Sequence, residues 1–342
     1  MNLYKTQLQT IANQTLPWSK LQNKTILLSG ATGMLGKCII DLLMLKNQLS
    51  GSNIHVIALS RNEETAKERL GEYWDLPEFN YVSCDINKEI PECGSVNFII
   101  HAASNTHPKQ YSGDPIGTIT SNIIGNKNLL DYAVKHHAEQ FCFLSSVEIY
   151  GENRGDVEKF DESYLGYLDC NTLRSGYPES KRVGESLCNA YGEAYQMPYV
   201  IPRLSRLYGP TMLASDSKAI SQFIRKAAAG EDIVLKSEGN QKYSYTFVTD
   251  AVNAILHIML LGTNGEAYNV ADEESDIELR NLAAILAGIV GKKVIFELPE
   301  ESERKGYSTA TKAMLDANKL EVLGWKAQVH LTEGLKCTVE NI

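Results

Sequence analysis

The chain has 342 residues, 43% hydrophobic and 22% charged, with a formal net charge of −9. This composition excludes a disordered, collagen-like or membrane-embedded chain, and the length suits about two domains, or one large α/β unit with an appended lobe. An acidic surface argues against nucleic acid or an anionic membrane as partner, because phosphate contacts need clustered Lys and Arg.

Residues 1–20 are polar, lack the apolar core of a signal peptide, and are expected to form a short amphipathic arm at most. Lys24–Ser29 reads as a buried strand, and Leu35, Ile39, Leu42 and Leu43 repeat at helical spacing over 34–46. Further strands are expected at Ile54–Leu59, Tyr81–Cys84, Asn97–Ile100, Phe141–Leu144 and Tyr199–Leu204, with helices over 63–71 and 116–136 between them. This alternation implies βαβ units and a doubly wound parallel sheet, an α/β fold of Rossmann type. Beyond 205 the rhythm changes, and helices over 216–229, 250–261 and 277–290 are separated by short strands and glycines. The expected organisation is a dinucleotide-binding Rossmann domain over 21–205, to which 248–272 returns. A smaller C-terminal α/β lobe from 206–247 and 273–342 would bind substrate.

Seven cysteines, an odd number with no C-x-x-C pair, make neither a disulfide framework nor a zinc site, and no metal is expected. Free thiols and the absence of any run of about 18 apolar residues point to a cytoplasmic protein with no membrane partner.

Gly30-Ala-Thr32-Gly33-Met34-Leu35-Gly36 lies between a predicted strand and a predicted helix. The first two glycines permit a tight turn whose amides approach a pyrophosphate, and Gly36 permits close packing of helix on strand. Gly30, Thr32, Gly33, Met34, Leu35 and Gly36 are therefore candidate dinucleotide contacts. The end of the second strand selects the cofactor. An acidic residue there would hold a ribose 2′-hydroxyl, whereas this chain has Ser60 and Arg61, which favour a 2′-phosphate and hence NADP over NAD. The alternative is that Arg61 stacks on adenine or faces solvent.

Tyr177-Pro-Glu-Ser-Lys181 places a phenol and an amine four residues apart, on one face of a helix. An ammonium beside a phenol favours the phenolate, so Tyr177 can take a proton from a substrate hydroxyl with Lys181 assisting. Ser146, at the end of the fifth strand, supplies a hydroxyl to polarise the reacting oxygen.

The G-x-x-G-x-x-G spacing, Ser146 and Y-x-x-x-K together resemble the extended branch of the short-chain dehydrogenase/reductase superfamily. That resemblance implies Asp85 and Ile86 at the adenine, and Ala102, Ala103 and Ser104, after His101, along the cofactor. It also implies a supporting role at the cofactor for Asn122 in Ser121-Asn122-Ile-Ile-Gly125. Ser145-Ser146-Val147-Glu148-Ile149-Tyr150-Gly151 resembles the S-T-x-E-V-Y-G motif of NAD-dependent nucleotide-sugar epimerases and dehydratases. The dehydratase aspartate is here Val147, while Glu148 remains, as in UDP-glucuronate decarboxylases. The stretch from Arg174 through Tyr177, Glu179, Lys181 and Arg182 to Glu185 resembles those decarboxylases too, and makes Arg174 a candidate substrate ligand.

The chain departs from the family pattern after the sixth strand. Arg206 replaces a substrate-binding asparagine, Thr211 replaces an arginine, and Tyr243 replaces the arginine expected at the diphosphate. Lys218 keeps one positive charge nearby, so Arg206, Lys218 and Tyr243 complete the candidate substrate site. The expected function is modification of a nucleotide sugar through a transient keto-sugar, with Tyr177, Lys181, Ser146 and Glu148 as catalytic residues. Two other readings stay open: an NAD(P)H-dependent reductase of a keto-sugar or sugar phosphate, and a non-catalytic dinucleotide sensor. Glu148, two residues after Ser146, is expected to share its face of the strand. The resemblance further implies a homodimer built on helices 116–136 and 178–195.

Overall fold

The computed structural model describes residues 2–106, 113–297 and 311–342. Its main sheet contains β1 (Thr25–Ser29), β2 (His55–Ser60), β3 (Phe79–Ser83), β4 (Phe98–His101), β5 (Gln140–Phe143), β6 (Ser145–Ser146), β7 (Tyr199–Leu204) and β11 (Ala267–Val270). The spatial order is β3-β2-β1-β4-β5-β7-β11, with β6 beside β7, and every pairing is parallel. Successive residues feed opposite faces. Ile26, Leu28, Val56 and Ile100 enter one core, while Leu27, Ile57, Ile99 and Phe141 enter the other. Burial on both faces explains why these strands read as continuous apolar runs. Strand order reverses between β1 and β4, which opens a crevice at their carboxyl ends.

The N-terminal segment is not the free arm expected from its polarity. Leu3–Ala12 form helix α1, and Tyr4, Leu8, Ile11 and Ala12 are buried. The Tyr4 hydroxyl donates to Asp41 Oδ2 at 2.6 Å, on α2 (Met34–Ser50). Four apolar positions at helical spacing suffice once a neighbouring helix covers them.

Helix α3 (Glu63–Leu70) follows β2. The single helix expected over 116–136 is three pieces: α4 (Pro115–Thr120), a π-helical turn (Ser121–Gly125) and α5 (Asn126–Lys135). A π turn is a local widening that recurs at functional sites, and this one carries Asn122. Helix α6 (Gly176–Tyr195) packs beside these elements.

The second sheet grows directly out of the first. Ser205 alone separates β7 from β8 (Arg206–Tyr208), which pairs with β10 (Lys242–Phe247). β10 also pairs with β12 (Asp272–Glu278) and β14 (Lys312–Ala313), while β9 (Ile233–Leu235) pairs with β13 (Val294–Phe296). Around them lie α7 (Ala219–Ala228), α8 (Val248–Leu261), α9 (Leu279–Ile289) and α10 (Leu331–Asn341). Residues 298–310 of the expected second lobe lie outside the described residues. Among the described residues no helix is long and apolar enough to cross a membrane.

Candidate active site

A cleft of about 780 Å³ runs from the carboxyl ends of β1 and β2, past β6, to β8, β9 and β10. The glycine loop forms its floor. Gly30 has φ +71°, and a Cβ there would lie 2.7 Å from backbone atoms of Ala102 and Ala103. A Cβ at Gly36 would meet the Gly30 carbonyl oxygen at 2.3 Å. Only glycine lets the loop sit this close to the β4 loop while Gly33 caps the start of α2. The first amides of that helix lack intrahelical acceptors by geometry, so the cradle fits a pyrophosphate.

Gly30, Thr32, Gly33, Met34, Leu35, Gly36, Ser60, Arg61, Asp85, Ile86, Ala102, Ala103 and Ser104 all line this cleft. Arg61 is exposed at the rim, just past β2. Asn122 does not line the cleft. It is fully buried behind the wall, where its side chain accepts from Ser104 Oγ at 2.8 Å and donates to Ser180 Oγ at 2.9 Å. It thus ties the β4 loop to α6 and holds the cofactor wall from behind. His101 is buried too, with Nδ1 2.8 Å from Ser29 Oγ, and burial lowers its pKa well below the ordinary value.

Tyr177, Ser146 and Glu148 line the cleft together. Tyr177 is hydrogen-bonded to Ser146. Lys181 is not at the cleft surface. It is buried on the same helix, where Nζ donates to the Leu144 carbonyl at 2.7 Å and stands 4.7 Å over the Phe143 ring. Burial lowers its pKa from 10.5 to about 7, against the opposing pull of Glu185. The expected help of the Lys181 ammonium to the phenolate is not the leading influence on Tyr177. Burial is the leading influence on Tyr177 and raises its pKa, the Ser146 hydrogen bond pulls it down, and Glu148 raises it further.

The reason given for Glu148 is also corrected. The strand ends at Ser146, and Val147–Tyr150 form a 3₁₀ turn capped by Ser146 Oγ, which accepts from the Glu148 amide at 3.2 Å. Glu148 reaches the cleft through that turn and not by strand alternation. Its carboxylate lies between two guanidinium groups, 3.4 Å from Arg174 Nη2 and 3.4 Å from Arg206 Nη2.

Arg206, Lys218 and Tyr243 line the second half of the cleft with Arg174. Lys218 pairs with Asp216 at 3.0 Å, so its charge is partly compensated. Sequence reasoning missed Phe223, Leu235, Lys236, Ser237 and Gln241, which close this end. They come from α7, β9 and the loop before β10, and no local spacing signals that these segments converge. Among the described residues no group of three or more His, Cys, Asp or Glu is placed to hold a metal ion.

Comparison with known proteins accords with this geometry. The family model described as the NAD dependent epimerase/dehydratase family matches residues 26–271. UDP-glucuronic acid decarboxylase 5 of Arabidopsis thaliana is 29% identical over 322 residues, covering 93% of this chain and 89% of that protein. The low-salt glycan biosynthesis protein Agl12 of Haloferax volcanii is 27% identical, covering 92% and 97%. A UDP-glucose 4-epimerase from Thermotoga maritima, solved with UDP-glucose, superposes with a TM-score of 0.80 at 24% identity over 93% of this chain and 98% of its own. A dTDP-glucose 4,6-dehydratase from Streptomyces venezuelae, solved with NAD, gives 0.79 at 24% identity over 92% and 96%. The match of the family model over most of the chain shows that the protein belongs to the NAD dependent epimerase/dehydratase family.

Proposed function

We propose that the cleft binds NAD(P) at its glycine-loop end and a nucleotide sugar at its β8–β10 end. The sugar would be modified through a transient keto form, in a reaction of epimerase, dehydratase or decarboxylase type. The observation that carries this reading is Glu148, which shares the cleft wall with Ser146 and Tyr177. Gly30, Gly33 and Gly36 would hold the dinucleotide, which when bound would supply a hydride acceptor that is regenerated and not consumed. Tyr177 takes the proton of the sugar hydroxyl, and Ser146 holds the same oxygen as it becomes a carbonyl. Lys181 lies one turn further along α6, and its ammonium form lowers the cost of the phenolate. Glu148 then moves a proton on the keto-sugar, the step a simple reductase lacks.

A net reductase is the second reading. It needs only Ser146, Tyr177 and Lys181, and the arginines missing at 211 and 243 favour it. Against it, Arg206 brings a guanidinium back over Tyr243, 3.5 Å from the ring centroid.

Two finer features belong to the same proposal. Arg61, exposed at the cleft rim, would pair with a 2′-phosphate and prefer NADP. A homodimer would cover the outer faces of α4, the π turn and α6, where Ile116, Ile119, Ile124, Val183 and Tyr195 are exposed. Leu129 and Leu130, by contrast, are spent inside the subunit.

Glu148→Gln is expected to block product formation while still letting substrate reduce bound NAD(P)+, seen as absorbance near about 340 nm. Full product formation by this variant would move the assignment to the reductase. Arg61→Ala should weaken NADP by roughly 1.5–3 kcal/mol in titration calorimetry and leave NAD nearly unchanged. Equal losses would mean that the side chain stacks on adenine. Light scattering at micromolar concentration should return the mass of a dimer, and a monomer would reject that interface.

The lysine gives a pH signature. Its proton is held more weakly in the folded chain, at about 7, than in the unfolded chain, at 10.5. Between these values the unfolded state binds the extra proton, so the lysine's contribution to stability rises with pH across that window and is constant below it. The stability of the wild type relative to Lys181→Met, measured by urea unfolding, should therefore increase from neutral to alkaline pH. A flat difference would mean that Glu185 keeps the ammonium charged.

A further inference from the structure

The substrate end of the cleft contains a guanidinium with donors to spare. Arg206 opens β8, and its guanidinium carbon lies 3.5 Å from the centroid of the Tyr243 ring. Stacking of this kind fixes the plane of the group and leaves its edge free to bind. Nη2 faces Glu148 Oε1 at 3.4 Å, while Nη1 is buried and has no hydrogen-bond partner among the described residues. Arg174 approaches the other oxygen of Glu148, also at 3.4 Å. Charge-assisted hydrogen bonds close to about 2.7–2.9 Å, so the carboxylate saturates neither arginine. Two guanidinium groups against one carboxylate leave a net positive charge facing the cleft.

Resting on the reading of the cleft as a nucleotide-sugar site, we infer that Arg206, braced on Tyr243, is a binding residue that holds an oxyanion of the substrate together with Arg174. The oxyanion is a sugar carboxylate or the diphosphate. An incoming anion would occupy the donor edge of Arg206, satisfy Nη1 and share the positive charge now directed at Glu148. Tyr243 has a defined part in this. β8 and β10 run parallel with Arg206 opposite Tyr245, and Tyr243 lies two residues earlier on the same face of β10. The two departures from the family pattern at 206 and 243 are therefore one contact. The guanidinium stays in the cleft, and the strand that carries it changes.

The test is a binding experiment with purified protein and three probes: UDP, UDP-glucose and UDP-glucuronate. Titration calorimetry on the wild type, Arg206→Asn, Arg206→Lys and the double variant Arg206→Asn/Tyr243→Arg gives a dissociation constant for each. Arg206→Asn is expected to weaken binding about tenfold or more, and Arg206→Lys to recover only part of the loss because an ammonium has no planar fork. The double variant, which returns a guanidinium from the neighbouring strand, is expected to recover most of it. A loss confined to UDP-glucuronate identifies a sugar carboxylate, and an equal loss for all three probes identifies the diphosphate. Wild-type affinities retained within a factor of two by folded Arg206→Asn would overturn the inference, and a fall in turnover alone would reduce Arg206 to a positioning residue for Glu148. If wild-type protein binds none of the probes, and none of the corresponding dTDP compounds, the nucleotide-sugar reading itself fails, which is a different result. Unaltered thermal midpoints and dinucleotide affinity in the variants separate lost recognition from lost folding.

Discussion

The candidate site is held in place by one half-buried ion pair. Arg203 on β7 binds Glu185 on α6 through two parallel contacts, Nη2 to Oε2 at 2.7 Å and Nε to Oε1 at 3.1 Å. Glu185 also accepts from Ser145 Oγ at 2.5 Å, while Arg203 Nη1 donates to the Tyr150 hydroxyl at 2.9 Å and the Glu162 carbonyl at 2.8 Å. Tyr150 passes the chain of contacts to Asn269 on β11 at 2.7 Å. This one network joins the helix that carries Tyr177 and Lys181, the strand that ends in Ser146, and the turn that carries Glu148. Removing either charge would leave the other half-buried without its ionic partner, held only by the neutral contacts to Ser145, or to Tyr150 and the Glu162 carbonyl. The network also aligns three elements of the candidate site from separate parts of the chain, so its loss would act on geometry as well as stability.

Burial has opposite effects on the two titratable groups of α6. It pushes the lysine down to about 7 and the phenol up, so their proton affinities move closer together than in water. Near neutral pH the amine is then able to gain or lose a proton, while the phenol holds its own until a positive charge or a reacting oxygen draws it off. Glu185 links this balance to the structural network, since it opposes the burial of Lys181 while binding Arg203. The same carboxylate thus serves alignment and electrostatics.

Local spacing made some of the site legible in the amino-acid sequence. The glycine loop and the Tyr177–Lys181 pair are set by distances of a few residues, and a strand–loop–helix context suffices to interpret them. Helix α1 was misjudged because its apolar positions are few and become meaningful only against α2 and Asp41. Glu148 was placed correctly for the wrong reason: alternation was assumed to continue past Ser146, where the backbone turns. Lys181 was taken to share the cleft with Tyr177, yet it is buried behind the wall, since a motif fixes which face of a helix a residue occupies and not how deep that face lies.

The substrate end was the least legible, and topology explains why. The chain leaves the large sheet at Leu204 and enters the small one at Arg206, with only Ser205 between them. That passage puts the end of β7, which anchors the Arg203 network, two peptide units from β8, which carries the guanidinium facing the cleft. Read along the chain, an arginine in place of an asparagine at 206 and a tyrosine in place of an arginine at 243 are two separate losses. Across the strand pair the two positions are in contact, with the Arg206 guanidinium 3.5 Å from the Tyr243 ring centroid. The place of the Arg206 guanidinium beside Glu148 is a property of the sheet, visible only when its strands are side by side.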